Sequence, residues 1–110
     1  MNTDLSIIIV NWNGGDLLRR CVETIVSSEP RVAYEVVIID NASTDNSVDV
    51  ARALQARDSR VHLIEHPVNL GHTASFNEGL DWATADYLMI VCADDLLPAI
   101  ISRLDCVRFH

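Results

Sequence analysis

Four short runs rich in Ile, Val and Leu alternate along the chain with segments whose apolar residues recur at a helical period. Three of the runs are almost continuously apolar, which is typical of strands that are covered on both faces in a parallel sheet. The predicted strands span residues 5–11, 34–40, 61–66 and 87–92.

Segments between these runs predict three helices and the start of a fourth. The first has an apolar stripe that begins at Leu17 and ends at Val26, with charged residues outside it. The second is marked by Val48, Ala51 and Leu54 after the cap-rich stretch "STDNS", the third spans about residues 73–83, and Pro98 opens the fourth. The order βαβαβαβα predicts an α/β fold in one domain, residues 1–110, with a mostly parallel sheet and helices on both faces.

The composition excludes several classes of function. The net charge is −8, and the chain has eight Arg and no Lys, so it does not favour nucleic acid, whose binding rests on phosphate neutralisation. No apolar run approaches the ~20 residues of a transmembrane segment, and "MNTDLS" does not resemble a signal peptide. Three cysteines without CxxC spacing indicate neither a disulfide framework nor a zinc site. We therefore expect a cytoplasmic protein.

The residues at the end of each predicted strand are mostly polar. In parallel α/β sheets the ligand binds outside the carboxyl ends of the strands, so these residues form the candidate site. They are Asn11, Trp12 and Asn13; Asp40, Asn41 and Ser43; Asn69, Leu70 and Gly71; and Asp94 with Asp95. A carboxylate-rich crevice without Lys or Arg suits a ligand with many hydroxyl or N–H groups and a hard cation such as Mg²⁺ or Mn²⁺.

Four segments carry a resemblance to a known family. They are "SIIIVNWNGGDLLRRCVETI", "VVIIDNASTDNS", "NLGHTASFNEGL" and "YLMIVCADDLLP". In order and spacing they resemble the N-terminal half of the family 2 inverting glycosyltransferases of the GT-A fold. The resemblance implies a Rossmann-like domain that binds a nucleotide-diphospho-sugar, UDP- or dTDP-linked, with Mn²⁺ or Mg²⁺ as cofactor. It also implies transfer of the sugar, with inversion, to a hydroxyl of a saccharide or lipid-linked acceptor.

The same resemblance implies roles for single residues. It places Trp12 near the nucleobase and Asp40 on the base or ribose. Asn69 and Gly71 fall in the family's Asn-x-Gly loop, with Asn77 in the helix after it. The segment Cys92-Ala93-Asp94 occupies the Asp-x-Asp position, which makes Asp94 the expected metal ligand with Asp95 in support. Two residues depart from the family pattern, namely Cys92 in place of the first Asp and Phe76 in place of a polar or basic residue.

The family's second half normally supplies acceptor binding and the general base. The sequence stops at "RLDCVRFH" before that half, so we expect a truncated domain that binds donor without completing transfer. The alternative is a non-catalytic module of the same fold that binds a nucleotide or a partner subunit. A homodimer would cover the sheet edge left exposed by truncation.

Structural explanations compete with several of these assignments. The adjacent carboxylates Asp94 and Asp95 also fit a turn and helix cap, and Asp40 also fits an Asx turn. Trp12 also fits simple packing over the sheet edge. The remaining expectations are that Gly71 and Gly79 permit tight backbone geometry, that His62, His66 and His72 bind no ligand, and that Cys21 lies in the core.

Overall fold

The computed structural model describes residues 3–27, 32–83, 85–92 and 107–108. Its elements, in chain order, are β1 (Leu5–Asn11), α1 (Asp16–Ser27), β2 (Tyr34–Asn41), α2 (Ser47–Arg57), β3 (Val61–His66), α3 (Gly71–Trp82), β4 (Tyr87–Cys92) and β5 (Val107–Arg108). Within these ranges no helix has the length and apolar character needed to cross a membrane.

All strands belong to one sheet with the order β3-β2-β1-β4-β5. The first four are mutually parallel, and β5 runs antiparallel beside β4. The predicted mostly parallel α/β fold is therefore confirmed, and β2 extends one residue beyond its predicted end, to Asn41. The short strand β5 was not predicted. The helix expected after Pro98 lies outside the described residues.

The central strand β1 has no exposed residue, because all seven of its positions are buried. It pairs with β2 in a register that places Leu5 opposite Tyr34 and Asn11 opposite Asp40. On its other side Val10 lies opposite Cys92, the last residue of β4. The three strands therefore end almost level, which brings the polar residues that follow them to one edge.

Each face of the sheet has its own helical layer, as the sequence predicts. Helices α1 and α2 cover the face that presents Ile7, Ile9 and Ile38, and Cys21 is buried there at 4% exposure. Helix α3 covers the opposite face, where Phe76 and Leu80 pack on the cluster of Ile8, Val37, Ile39 and Leu88. Alternating side chains of β1 thus contribute to two separate cores.

A glycine sets the distance between α3 and the sheet. A Cβ atom at Gly79 would lie 2.5 Å from Ile8 Cγ2 and 3.2 Å from Ile39 Cδ1. Carbon atoms cannot approach to 2.5 Å without displacement, so α3 can pack this closely only because position 79 has no side chain. The expectation of tight geometry at Gly79 is confirmed.

Candidate functional site

The candidate site lies at the carboxyl edge of the sheet, next to β1. From β1 the chain proceeds outward through β2 to β3 and then returns to the other side of β1 as β4. The strand order therefore reverses between β1 and β4. In open parallel sheets, ligands bind in the crevice at such a reversal.

A buried network joins Asn11, Asp40 and Ser43 at this edge. Asp40 Oδ1 accepts hydrogen bonds from Asn11 Nδ2 at 2.9 Å and from Ser43 Oγ at 2.7 Å, and Asp40 Oδ2 accepts one from the Ser43 backbone N–H at 3.0 Å. Asn11 is 0% exposed and Asp40 1%. The predicted turn role of Asp40 is present, because its carboxylate holds the backbone of Ser43. Asn11 Oδ1 is buried and has no hydrogen-bond partner among the described residues.

Asn13 fastens the loop after β1 to the loop after β2. Its Oδ1 accepts hydrogen bonds from the backbone N–H groups of Thr44 at 2.7 Å and Asp45 at 3.3 Å. Its own N–H donates to Ser43 Oγ at 2.9 Å. Asn13 has φ 53°, a left-handed conformation that asparagine tolerates better than most residues. The two loops are therefore cross-linked by side-chain and backbone bonds.

Trp12 lies between these two anchored asparagines, and 58% of it is exposed. A tryptophan that served only to cover the sheet edge would be largely buried, so the exposure argues against the packing explanation. An exposed indole beside a polar network provides a flat apolar surface at the mouth of the crevice.

The loop before α3 is held by Asn41. Asn41 Oδ1 accepts a hydrogen bond from the Leu70 N–H at 3.2 Å, and Asn41 Nδ2 donates to the Gly71 carbonyl at 3.3 Å. Asn69 Oδ1 accepts the Gly71 N–H at 2.8 Å. Gly71 has φ 84°, which confirms the expected need for glycine there. Asn77 is exposed on α3, and among the described residues no hydrogen bond joins it to this loop.

His66 is a residue of this region that the sequence analysis did not assign to the site. Its Nδ1 lies 3.0 Å from Asn41 Oδ1, and its Nε2 contacts Glu78 Oε2. The ring is buried, with 6% of the side chain exposed. One signal was available in the sequence, since His66 ends a predicted strand just as Asp40 does.

The predicted metal ligands Asp94 and Asp95, and the predicted contact Ala93, lie outside the described residues. In the part of the chain that is described, no three His, Cys, Asp or Glu side chains are grouped so that they could hold a metal ion. Strand β4 ends at Cys92, opposite Val10 and so one residue short of the end of β1. Two carboxylates that follow such a strand end have the oxygen chemistry that Mg²⁺ and Mn²⁺ prefer.

Two groups with displaced pKa values lie where β2 and β3 begin, at the opposite edge of the sheet. The hydrogen bond from Arg60 lowers the pKa of Asp58, and burial raises the pKa of Tyr34. Arg60 Cζ lies 4.4 Å from the centre of the Tyr34 ring, where β2 begins. On α1 a hydrogen bond from Arg19 lowers the pKa of Asp16. The pairs of Asp58 and Tyr34 with Arg60 lie outside the candidate site, whereas Asp16 is in the first turn of α1, just after the loop that follows β1.

Comparison with known proteins agrees with the fold. The model of the family "Glycosyl transferase family 2" matches residues 6–99. The chain is 38% identical over 91 residues to the uncharacterized glycosyltransferase YibD of Escherichia coli, covering 83% of this chain and 26% of that protein. It is 32% identical over 95 residues to the poly(ribitol-phosphate) beta-glucosyltransferase of Bacillus spizizenii, covering 84% of this chain and 15% of that protein.

A solved structure is also similar. The mannosyltransferase PcManGT of Pyrobaculum calidifontis, in complex with GDP-Man and Mn²⁺, superposes with a TM-score of 0.78 at 27% identity, over 89% of this chain and 29% of that one. The chain thus spans less than a third of each of these three proteins. Because the family match extends over most of its length, the chain belongs to glycosyltransferase family 2.

Proposed function

We propose that this chain is the donor-binding domain of a glycosyltransferase that moves a sugar from a nucleotide-diphospho-sugar to an acceptor hydroxyl with inversion. The observation that carries the proposal is the buried network of Asn11, Asp40 and Ser43 beside the reversal in strand order. Membership of glycosyltransferase family 2 supports the assignment of that crevice to a sugar donor. The mannosyltransferase relative, solved with GDP-Man and Mn²⁺, supports a nucleotide-linked donor.

Asp40 acts mainly by holding other groups in place. Three hydrogen bonds already occupy its carboxylate, and it is 1% exposed. Each carboxylate oxygen can accept about two hydrogen bonds, so Oδ2 retains one acceptor position. A uracil or thymine N–H, or a ribose hydroxyl, would donate to that position while the base stacks on the exposed Trp12. The remaining predicted contacts are those of Asn41, Asn69, Gly71, Asn77 and Ala93.

The diphosphate of the donor needs a positive charge nearby. The predicted site lacks one, because none of the residues at the predicted strand ends is Lys or Arg. We propose that Asp94 and Asp95 hold Mn²⁺ or Mg²⁺. When bound, the ion would offset the charge of the departing nucleotide diphosphate.

Transfer also needs an acceptor site and a general base, which typically contributes ~10²–10⁴-fold in rate. The chain spans 26% of YibD and 15% of the Bacillus enzyme, so we propose that both come from the rest of a full-length protein. The 110 residues alone are then expected to bind donor without transfer above slow donor hydrolysis.

Calorimetric titration with UDP, dTDP and GDP, each with and without Mn²⁺, tests donor binding. We expect weak binding of a nucleoside diphosphate that depends on Mn²⁺ and is largely lost in Asp94→Asn. The matched control is Asp86→Asn, an exposed carboxylate before β4. Equal affinity in Asp94→Asn and the parent would overturn the metal assignment. Binding without any dependence on metal would instead favour the non-catalytic nucleotide-binding module.

A further inference from the structure

The orientation of the Asn41 side-chain amide is fixed by two backbone groups. Leu70 N–H can only donate, so the atom that it contacts at 3.2 Å is the oxygen Oδ1. The Gly71 carbonyl can only accept, so the atom 3.3 Å from it is the nitrogen Nδ2. The assignment of the amide therefore does not depend on the neighbouring histidine.

The orientation of the Asn41 amide determines which ring nitrogen of His66 carries a hydrogen. Asn41 Oδ1 is an acceptor, and His66 Nδ1 lies 3.0 Å from it. Two acceptors would repel at that distance, so Nδ1 must carry the hydrogen and donate it to Asn41.

The second ring nitrogen meets a carboxylate. His66 Nε2 contacts Glu78 Oε2. A neutral imidazole with its hydrogen on Nδ1 would present a lone pair to Glu78, which is again a contact between two acceptors. The contact becomes favourable when a hydrogen lies between Nε2 and the carboxylate, and a ring with hydrogen on both nitrogens would satisfy Asn41 and Glu78 together.

The His66 ring connects three elements of the candidate site. Asn41 ends β2, His66 ends β3, and Glu78 lies on α3. The ring is almost entirely buried, whereas 42% of the Glu78 side chain is exposed. Loss of one proton from the ring would therefore cost the contact with Asn41 or the contact with Glu78.

We propose that His66 is a positioning residue for the donor site: its two N–H groups, on Asn41 and Glu78, hold the backbone of Leu70 and Gly71 in the geometry that binds donor. This inference rests on the proposed function, because it assumes that the loop contacts a nucleotide-sugar. Donor affinity should then fall when the ring loses either of these two hydrogens.

Few other charged groups share this face of the sheet. By strand alternation Asp40 and Glu65 belong to the opposite face, where Glu65 pairs with Arg52. Glu35 is on the same face at the opposite end of β2, where it accepts a hydrogen bond from Ser6. The face also holds His62, which contacts the Trp82 ring at a centroid distance of 4.8 Å. Glu78 is thus the charged group in contact with His66 within the described residues.

The first experiment measures protonation without any ligand. The ¹⁵N shifts of a histidine ring distinguish imidazolium from either neutral form, and His66→Asn identifies the His66 signals among the four histidines. We expect both ring nitrogens to carry hydrogen when the loop has the geometry described above, and we expect the backbone amide signals of Leu70 and Gly71 to change together with the ring signals as the pH is varied. A ring that is neutral at every pH, or loop amides that do not follow it, would overturn the inference even if nucleotide binds.

The second experiment compares variants by UDP affinity in Mg²⁺ between pH 6 and pH 9. In Glu78→Gln the new amide can donate a hydrogen bond to Nε2 of a neutral ring. The UDP affinity of this variant, divided by the UDP affinity of the parent, should therefore rise with pH. His66→Asn keeps an N–H near the Nδ1 position, whereas His66→Gln places its N–H near Nε2. We expect His66→Gln to lose about tenfold in affinity, the effect of one lost hydrogen bond, and His66→Asn to lose less.

His62→Asn is the matched control, since it removes a histidine from the same strand and face without touching Asn41. It should follow the pH profile of the parent. Equal losses in His66→Asn and His66→Gln, with both variants folded, would mean that the ring only fills space and would overturn the inference. If no nucleotide binds to the parent, the proposed function fails, and the linked titration of His66 with Leu70 and Gly71 alone decides whether the ring positions the loop.

Discussion

Asn11 Nδ2 donates a hydrogen bond to Asp40 Oδ1 at 2.9 Å across two neighbouring strands. The two residues are opposite each other in the register of β1 and β2, and neither is more than 1% exposed. A buried charge is retained only where hydrogen bonds replace its water, and here Ser43 supplies two more donors. The carboxyl ends of the two central strands are therefore joined through one carboxylate.

Replacing Asp40 by Asn should destabilise the fold. An amide nitrogen cannot accept, so it would face one of the donors from Asn11 or Ser43 and leave that donor unsatisfied. We expect a loss of about 1–3 kcal/mol in the free energy of unfolding, measured by urea denaturation. Asp45→Asn is the control, because Asp45 is exposed and, among the described residues, its Oδ1 accepts only the Ser47 N–H, a bond that an amide oxygen can keep. Equal losses in both variants would contradict the role given to Asp40.

Substitutions at Asn13 should separate its conformation from its hydrogen bonds. Asn13→Gly keeps the left-handed φ but loses the acceptor for Thr44 and Asp45, at a cost of about 1 kcal/mol. Asn13→Ala loses the acceptor and adds a left-handed penalty of about 1–2 kcal/mol. Asn13→Asp keeps an acceptor and should be the mildest of the three. Thermal unfolding measures the order of stability of the three variants. If Asn13→Ala is as stable as Asn13→Gly, the left-handed conformation at position 13 does not affect stability.

Adding one methyl group at Gly79 should weaken the packing of α3. Alanine favours a helix by about 0.8–1.0 kcal/mol over glycine, but its Cβ would lie 2.5 Å from Ile8 Cγ2. Overpacking of a core typically costs about 1–3 kcal/mol, so we expect net destabilisation in urea. Asp81→Ala, on an exposed position of α3, should change stability little. If Gly79→Ala stabilises the protein, α3 does not pack against Ile8 as closely as described.

Acid should remove the contribution of Asp58. Arg60 donates to both of its carboxylate oxygens, at 3.0 and 2.7 Å, and the pKa of Asp58 is lowered in the folded protein. Because the folded pKa is below the unfolded one, the stabilisation is complete above the unfolded value and is lost as the pH falls through the folded value. Asp58→Asn should therefore cost about 0.5–1 kcal/mol at pH 7 and progressively less below pH 3.8. A cost that does not depend on pH would show that the charge is irrelevant.

Sequence patterns were sufficient to predict the strands, because burial on both faces of a sheet requires a continuous apolar run. The same patterns predicted that Asn11 and Asp40 lie close together, since polar residues that end parallel strands meet at one edge, and the structure joins them by a hydrogen bond. They did not identify His66, whose role depends on Asn41 and Glu78 arriving from two other elements. A linear pattern records the type of a residue and its neighbours along the chain, but not such a three-way contact.

Helix capping shows the same limit on a smaller scale. The stretch "STDNS" correctly indicates the start of α2, which begins at Ser47. The N-cap residue is Asn46, yet its side chain makes no capping hydrogen bond, and Asp45 Oδ1 accepts the Ser47 N–H instead. Several candidates in a row predict the position of a helix end without deciding which side chain satisfies it.

The central position of β1 has a consequence for synthesis on the ribosome. Its partner β2 follows soon after it in the chain, whereas its other partner, β4, begins only at Tyr87. Until Tyr87–Cys92 has emerged, the nascent chain carries β1 with one edge unpaired, and that strand is wholly apolar from Ile7 to Val10. An open apolar edge recruits strands from other molecules. A pause of translation before Tyr87–Cys92 has left the ribosome should therefore prolong the dependence of the nascent protein on chaperones.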